Sequence, residues 1–248
     1  MILFSLFFSS NGYCATEEIN SKFGETPVID GEIDLSSKEW SKAVKITTKL
    51  DDLDINLWVM QDYSNLYISV QIDLELAYHN ATEFVGIIIS NSSSEAKEEF
   101  IDAKIVQFSN ILEDAFNFFD YYINNSIFFN DTVYNGDGAA KLEGLTSTYE
   151  FSLPINNLNG NEEDVELNFE GSYAFNITYG DRPIYPSGVK KSGIFLINIK
   201  ELSTSTPSIL KLILYIISII IFSVLGAFLG FYMYKIFRLK KKIEKFKR

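Results

Sequence analysis

Alternating hydrophobic and polar positions over residues 54–74 predict two strands that fold back on each other. Residues 62–65, Asp-Tyr-Ser-Asn, are of types that favour chain reversal and would form the turn. Closing the hairpin there gathers the apolar positions on one face. The opposite face then carries the pairs Met60–Tyr67, Trp58–Ser69 and Asn56–Gln71. We expect the first face to belong to a core and the second to form an aromatic, polar platform.

Short apolar or alternating segments, separated by turn residues, recur as far as residue 200. They predict further strands at 44–50, 84–90, 101–108, 146–153, 165–170, 173–179 and 193–199. No amphipathic helix of ten residues occurs among them. About nine or ten strands without helices indicate an all-β protein with an antiparallel β-sandwich. Trp40 is expected to plug one end of this sandwich.

The chain becomes continuously apolar between Lys211 and Lys235, where 23 residues carry no charge. As a helix at ~1.5 Å per residue they span about 34 Å, which is enough for the ~30 Å hydrocarbon core of a bilayer. The residues that follow are rich in Lys and Arg, so they are expected to stay in the cytoplasm and to contact anionic lipid. The sequence therefore predicts a single-pass type I protein of the cell membrane. Its β-sandwich would be an extracellular ectodomain, followed by one C-terminal transmembrane helix.

The N-terminal 15 residues, an apolar run followed by small residues, resemble a secretory signal peptide, with a buried N-terminal strand as the alternative. Five Asn-X-Ser/Thr triplets agree with an extracellular domain and predict glycosylation at Asn80, Asn91, Asn124, Asn130 and Asn176. The expected organisation is a signal peptide at 1–15, the β-sandwich at 26–200, a linker at 201–210, the transmembrane helix at 211–235 and a basic cytoplasmic tail at 236–248.

Charge and rare residue types exclude several functions. Residues 1–210 hold 12 basic and 32 acidic residues, a net charge of −20, whereas nucleic-acid phosphates need positive charge. The only Cys, Cys14, lies in the predicted signal, so the mature chain has no disulfide and no cysteine nucleophile. The only His, His79, excludes a zinc site with several His ligands. Acidic residues are scattered through turns without a catalytic arrangement, so we expect no enzymatic activity.

Several short motifs occur in a fixed order: VIDGEID, EW, LWVMQDYSNLYISVQI, EFVGIII, YEFSLP and AFNITYGD. They span roughly residues 26–200, and their order resembles the family 9 carbohydrate-binding modules and the wider DOMON-like sandwiches. The resemblance implies a β-sandwich, a sugar ligand held by Trp residues and structural calcium. In some DOMON-like domains it implies haem b bound by Met with His or Lys.

Aromatic and amide side chains are the candidates for carbohydrate binding, because rings stack on sugar C–H faces and amides bond hydroxyl groups. They are Trp58, Tyr67 and Asn56 on the hairpin platform and Tyr121 and Tyr134 in the Phe- and Tyr-rich segment 117–138. Two alternatives stay open. The platform packs beneath another segment, or the segment 117–138 is a hairpin whose aromatic rings fill the core.

No cofactor is expected, except that Asp30, Asp62 and Asp73 offer oxygen ligands of the kind that calcium prefers. Haem binding by Met60 and His79 is a further alternative, in which the domain would transfer electrons. The main prediction is a membrane-anchored extracellular module that binds carbohydrate or glycan without chemistry of its own. Its main alternative is a structural ectodomain that binds a protein partner, such as a membrane protein, in a surface complex.

Overall fold

The computed structural model describes residues 17–34, 36, 38–73, 83–90, 100–108, 116–124, 127–157, 163–180, 190–200 and 208–246. The chain divides into two compact units, Met1–Leu202 and Ser203–Arg248. In their described parts, the first unit is built from strands and the second from one helix. The predictions for residues 1–15, His79, Asn80 and Asn91 lie outside the described residues.

The β unit has twelve strands in its described part. They are β1 (Glu17–Asn20), β2 (Val44–Leu50), β3 (Leu53–Gln61), β4 (Asn65–Asp73), β5 (Phe84–Ser90), β6 (Phe100–Phe108), β7 (Phe116–Asn124), β8 (Ile127–Asn130), β9 (Asp137–Glu143), β10 (Thr146–Pro154), β11 (Ser172–Gly180) and β12 (Lys190–Asn198). The predicted all-β fold is confirmed, with more strands than the nine or ten expected.

The strands form a curled sheet with two layers. The first layer, sheet A, has the order β8-β7-β6-β5-β11-β12, and β1 is added to it parallel to β12. The second layer, sheet B, has the order β2-β3-β4-β10-β9. A single residue pair, Ser192 of β12 with Leu50 of β2, joins the two layers.

The main core lies between the two sheets. Sheet A contributes residues such as Ile87 and Phe175, and sheet B contributes Leu57, Val70 and Phe151, all at most 1% exposed. Burying one such aliphatic side chain contributes about 1.5–3 kcal/mol. Because side chains alternate along a strand, the residues between these point to the outer face of each sheet.

The hairpin predicted over residues 54–74 is formed by β3 and β4. Its register is the expected one, with Leu57 opposite Val70 and Asn56 opposite Gln71. The Asp62 carboxylate closes the turn by accepting hydrogen bonds from the backbone N–H groups of Ser64 (2.6 Å) and Asn65 (2.8 Å). Local sequence therefore determines both the pairing and the turn.

The strand predicted at 165–170 is wrong. In these residues Leu167 forms one isolated bridge with Ile155, and no strand is present. The hydroxyl of Tyr173 accepts a hydrogen bond from Asn168 N at 2.7 Å, and Glu170 adopts a positive φ of 63°. The chain therefore turns back on itself before β11. Strands β1 and β9 were not predicted.

The described part of the second unit is helix α1 (Ser208–Phe246), which contains the whole predicted transmembrane segment 211–235 and continues through the basic residues after it. Its residues Ile213–Ile243 are long and apolar enough to cross a membrane, and their side chains are not buried against any described part of the chain.

Candidate functional site

The outer face of sheet B is divided into two parts by residues 29–34 and 38–43, which we call the covering segment. Side chains on this face come in rows across β3, β4 and β10, since each strand pairs with the next in register. One row is Asn56, Gln71 and Thr148, and the next is Trp58, Ser69 and Glu150. The covering segment packs on the second row. The first row borders a groove, with Asn56 and Gln71 half-buried and Thr148 7% exposed.

The covered part is a small second core. Trp40 of the covering segment packs with Trp58, Met60 and Tyr67 of the sheet. Trp58 is 5% exposed and Tyr67 1%. The Tyr67 hydroxyl donates a 2.7 Å hydrogen bond to the Asp62 carboxylate, and burial, together with this hydrogen bond, raises the pKa of Tyr67 to about 12.

Glu150 fixes the covering segment to the sheet. One of its carboxylate oxygens accepts a 2.8 Å hydrogen bond from Trp40 Nε1. The other accepts hydrogen bonds from the backbone N–H groups of Asp30 (3.0 Å) and Gly31 (2.9 Å). Burial raises the pKa of Glu150 to about 7, although these hydrogen bonds oppose the shift. A buried carboxylate with three donors is the main polar link between the sheet and the segment above it.

Gly31 lets the segment approach the sheet closely. It adopts a φ of +84°, and a Cβ atom there would lie 2.5 Å from the backbone of Ala140 on β9. Neither the backbone conformation nor the space suits another residue. Glycine is therefore required at this point of the covering segment.

The open part is a groove of about 410 Å³, which we call the polar groove. It lies between the first residues of the covering segment and strands β4, β9 and β10. Its lining consists of Gly31, Glu32, Ile33, Asp34, Gln71, Lys141, Glu143, Thr146 and Thr148. Amide, hydroxyl and carboxylate groups dominate, and the aromatic rings of the second core are not part of it.

Hydrogen bonds and one ion pair organise the polar groove. Gln71 Nε2 lies 3.4 Å from Thr148 Oγ1, and Thr146 Oγ1 donates to the Asp73 carboxylate at 2.6 Å. Lys141 of β9 forms a salt bridge with Glu32 of the covering segment. These contacts connect the floor of the groove to its wall and leave polar atoms directed at a ligand-sized space.

The structure separates the candidate sugar-binding residues. Trp58 and Tyr67 lie in the second core. For these two residues, the alternative that the platform packs beneath another segment is therefore observed. Asn56 lies next to the groove, opposite Gln71, and accepts a 2.9 Å hydrogen bond from Thr47 Oγ1. Tyr121 lies on β7 of sheet A, next to the edge strand β8.

The groove residues Gln71, Thr148 and Lys141 were missed as a site. The hairpin pattern places Gln71 beside Asn56, which is a usable local signal. Thr148 joins them only through the pairing of β4 with β10, between residues 77 positions apart. The local pattern of hydrophobic and polar residues does not indicate such a long-range pairing.

Strands β7 and β8 form an aromatic hairpin at the edge of sheet A. The rings of Phe119 and Tyr121 stack with centres 5.8 Å apart, and Phe128 meets Tyr121 edge-on at 6.0 Å. Burial raises the pKa of Tyr121, and the charge of Tyr134 raises it further. Tyr134 lies beyond β8 and is 58% exposed, and Phe129 on β8 is 41% exposed. The aromatic hairpin and the residues after it therefore present rings to solvent.

A buried lysine lies among three aspartates near this edge. Lys104 Nζ is 2.9 Å from Asp164 and 3.2 Å from Asp102, and it also pairs with Asp120. Burial raises the pKa of Asp102 to about 7, against the attraction of Lys104. Burial alone would lower the pKa of Lys104, but the three carboxylates raise it overall. The ammonium thus already occupies the centre of this group of carboxylates.

The metal and haem expectations stay predictions. Within the described part of the chain, the acidic group with metal-ligand spacing is Asp102, Asp120 and Asp164, and Asp30, Asp62 and Asp73 do not belong to it. Asp62 instead closes a turn, and Asp73 accepts a hydrogen bond from Thr146. For haem, Met60 is completely buried in the second core, and His79 lies outside the described residues.

The three described glycosylation candidates differ in accessibility. Asn124 and Asn130 are exposed on the aromatic hairpin. Asn176 is half-buried on β11, and its Nδ2 donates a 2.8 Å hydrogen bond to the carbonyl of Ser192. A glycan on Asn176 would displace this bond, so the first two are better placed to carry one. Glycosylation itself stays a prediction.

The fold and the groove define a β-sandwich module with an open polar face and a separate apolar helix. No family model matches the chain, and no curated protein is similar to it. Among solved structures, it is similar to a carbohydrate binding module family 9 from Caldicellulosiruptor kristjanssonii in complex with cellotriose, at 14% identity and a TM-score of 0.44, covering 77% of this chain and 97% of that one. A module of the same description and organism in complex with glucose gives 15% identity, a TM-score of 0.44, and coverage of 76% and 98%.

Proposed function

We propose that the β unit is a non-catalytic module that binds carbohydrate or glycan in the polar groove. The observation that carries the proposal is an open space of about 410 Å³ floored by Gln71, Thr146 and Thr148. Small-molecule sites usually measure about 300–1,000 Å³ and fix their ligand with a few placed polar groups. Amide and hydroxyl groups both donate and accept hydrogen bonds, as the hydroxyls of a sugar require.

The charges around the groove favour a neutral sugar. Glu32, Asp34 and Glu143 bring carboxylates to the lining, and its one lysine, Lys141, is paired with Glu32. Residues 1–210 carry a net charge of −20. A sulfated or uronic-acid sugar would be repelled, whereas neutral hydroxyl groups donate well to carboxylates.

The predicted sugar-binding residues take different roles in this proposal. Asn56 extends the floor of the groove beyond Gln71. Trp58 and Tyr67 support the wall, because they hold the covering segment in place from beneath. Tyr121, on the aromatic hairpin, and Tyr134, just after it, would offer a separate stacking surface on sheet A.

The direct test is binding by the full chain in detergent to a panel of neutral, acidic and amino sugars that includes glucose and cellotriose. We expect Gln71→Ala with Thr148→Ala to weaken binding of the best neutral sugar about 30-fold, since each removes a hydrogen-bonding group worth about 1 kcal/mol. Asn117→Ala, an exposed amide on β7, is the matched control and should bind normally. Failure of the wild type to bind any sugar would refute the proposal.

Helix α1 would anchor this module in a membrane, with the β unit outside and the basic end of the helix in the cytoplasm. The apolar segment Ile213–Ile243 and the Lys and Arg residues after position 234 support this orientation. Protease added to sealed right-side-out vesicles should then remove the β unit and spare an epitope placed after Arg248. Loss of that epitope would contradict the orientation.

A protein partner is the second candidate, favoured by the edge of sheet A. Strand β8 is the last strand of the sheet, and its Ile127 and Phe129 are 57% and 41% exposed. Exposed edge strands pair readily with strands of other chains. Ile127→Lys with Phe129→Lys should abolish a crosslinked complex on this edge and leave sugar binding unchanged.

A further inference from the structure

Helix α1 continues for twelve residues beyond its uncharged segment. The uncharged run ends at Tyr234, and the helix ends at Phe246. At ~1.5 Å per residue the whole helix is about 58 Å long, and its last twelve residues account for about 18 Å. A hydrocarbon core of ~30 Å cannot contain that length across its thickness. The last three turns therefore need another environment.

These turns have an apolar face and a basic face. Ile236, Leu239 and Ile243 recur at intervals of three and four residues and lie within about 60° of one another around a helix of 3.6 residues per turn. Five basic residues lie on a separate arc of about 120°. They are Lys235, Arg238, Lys241, Lys242 and Lys245, whereas Lys240 borders the apolar face, about 40° from Ile236. Phe237 falls outside both arcs.

The apolar face is uncovered. Ile236 is 45% exposed, and Leu239 and Ile243 are each 58% exposed, so no described part of the chain buries them. A helix that continued straight into water would leave all three side chains solvated. Turning the same face toward lipid would bury them.

We propose that residues 235–246 lie along the surface of an anionic membrane leaflet, with Ile236, Leu239 and Ile243 inserted at the boundary between headgroups and acyl chains. This inference rests on the proposed membrane anchor. Residues 235–248 hold eight basic residues and one acid, Glu244, which complements a surface of anionic headgroups. Helices with this distribution of basic and apolar residues bind in the plane of the interface.

The junction with the apolar segment carries a cation beside an aromatic ring. Lys235 Nζ lies 5.7 Å from the centre of the Phe231 ring, one turn earlier. The first cation thus reaches back along the helix to the level of the last aromatic residues of the uncharged run. Lys and aromatic side chains of this kind mark the boundary between hydrocarbon and headgroups.

A second copy of the chain is the competing occupant of the apolar face. The spacing of Ile236, Leu239 and Ile243 also occurs in paired helices. In a parallel pair, however, the two basic arcs would flank the same seam and repel each other. Anionic headgroups turn the same charges into attraction, so charge favours the membrane surface.

The test uses the full chain with Cys14→Ser in nanodiscs of phosphatidylcholine, with or without phosphatidylserine. Spin labels are placed singly through Leu239→Cys and Ile243→Cys on the apolar face and Lys241→Cys on the basic face. Ile219→Cys, in the middle of the uncharged run, is the control for the anchor. With phosphatidylserine we expect labels 239 and 243 to be accessible to oxygen and protected from a water-soluble nickel complex, and label 241 to show the opposite. Lys241→Gln with Lys242→Gln should weaken insertion, so labels 239 and 243 should become more accessible to the nickel complex.

Each contrary outcome is distinct. Equal exposure of labels 239, 241 and 243 to nickel, with label 219 protected, would overturn the inference and leave the anchor intact. Spin–spin broadening at label 239 that disappears on dilution with unlabelled protein would assign the face to a second copy instead. Insertion that is independent of phosphatidylserine would overturn the role of charge. Exposure of label 219 to nickel would overturn the anchor itself.

Discussion

The two parts of the outer face of sheet B come from the same strands in the same register, yet one is sealed and the other open. Trp58 and Tyr67 are buried beneath the covering segment, whereas Gln71 and Thr148, one row away, line a groove. The alternation of side chains decides which residues face outward. It does not decide whether that face meets water, because a distant part of the chain, held by Glu150, settles it.

Trp40→Ala should have the largest effect on this contrast. It removes the ring that closes the second core and the donor to Glu150, and truncating a buried Trp costs about 3–5 kcal/mol. Denaturant unfolding of the full chain, followed by fluorescence of the remaining Trp58, measures the loss. Tyr63→Ala, at a 72% exposed aromatic residue, is the control and should change stability little. Equal stability of both variants would mean that the covering segment is not held by Trp40.

Glu150→Gln should change the pH dependence of stability. The pKa of Glu150 rises from 4.5 to about 7 on folding, so protonation favours the folded state, fully below pH 4.5. This contribution is lost as the pH rises through about 7 and amounts to at most roughly 3 kcal/mol at 1.36 kcal/mol per pKa unit. The variant should therefore show a smaller decline of unfolding free energy between about pH 5 and pH 8.

Asp102 provides the matched control for that measurement. Its pKa also lies at about 7, so it contributes to the same decline in the wild type. Asp102→Asn should flatten the pH profile without affecting the covering segment, whereas Glu150→Gln should also alter Trp40 fluorescence. An unchanged slope in Glu150→Gln would show that Glu150 does not take up its proton in this range.

Gly31→Ala should displace the wall of the polar groove. The positive φ and the 2.5 Å approach to Ala140 make a Cβ atom unfavourable there, at a cost of about 1–3 kcal/mol. Displacement of the wall should weaken sugar binding together with stability. Gly144→Ala is the control: it too has a positive φ, but its Cβ would meet no atom within 4 Å, so it should weaken stability alone. Calorimetry and sugar titration of both variants distinguish the two effects.

Lys141→Gln should have the smallest effect. Its salt bridge with Glu32 is 39% exposed on the lysine side, and exposed pairs contribute about 0.2–1 kcal/mol. Stability should fall by less than about 1 kcal/mol, and added salt should reduce the difference from the wild type. A larger loss, unaffected by salt, would show that Lys141 supports the wall through packing.

The sequence predicts the local parts of the fold well. Strand β5 follows from a nearly continuous apolar run, and the β3–β4 register follows from alternation and turn residues, all of which act over a few positions. Residues 165–170 were mistaken for a strand, because the interaction that bends them comes from the Tyr173 hydroxyl. β9 was hidden, because its small residues Ala139 and Ala140 carry little hydrophobic pattern.

The site was less predictable than the fold. Trp58 and Asn56 were both placed correctly on the outer face, but only the position of Trp40 decides which of them is covered. That position depends on a carboxylate 110 residues away, which the pattern around Trp40 does not indicate. The groove likewise needs β4, β9 and β10 side by side, an arrangement that only long-range pairing creates.

Strand β10 carries Thr148, on the floor of the groove, two residues from Glu150, which tethers the segment above it. Ligand binding in the groove and attachment of the covering segment to Glu150 should therefore stabilise each other. A ligand resting against residues 31–34 would slow hydrogen exchange at the Gly31 amide. Detachment of that segment would speed ligand release. The sheet itself need not deform. A bound sugar would change the surface of the module mainly by ordering the covering segment.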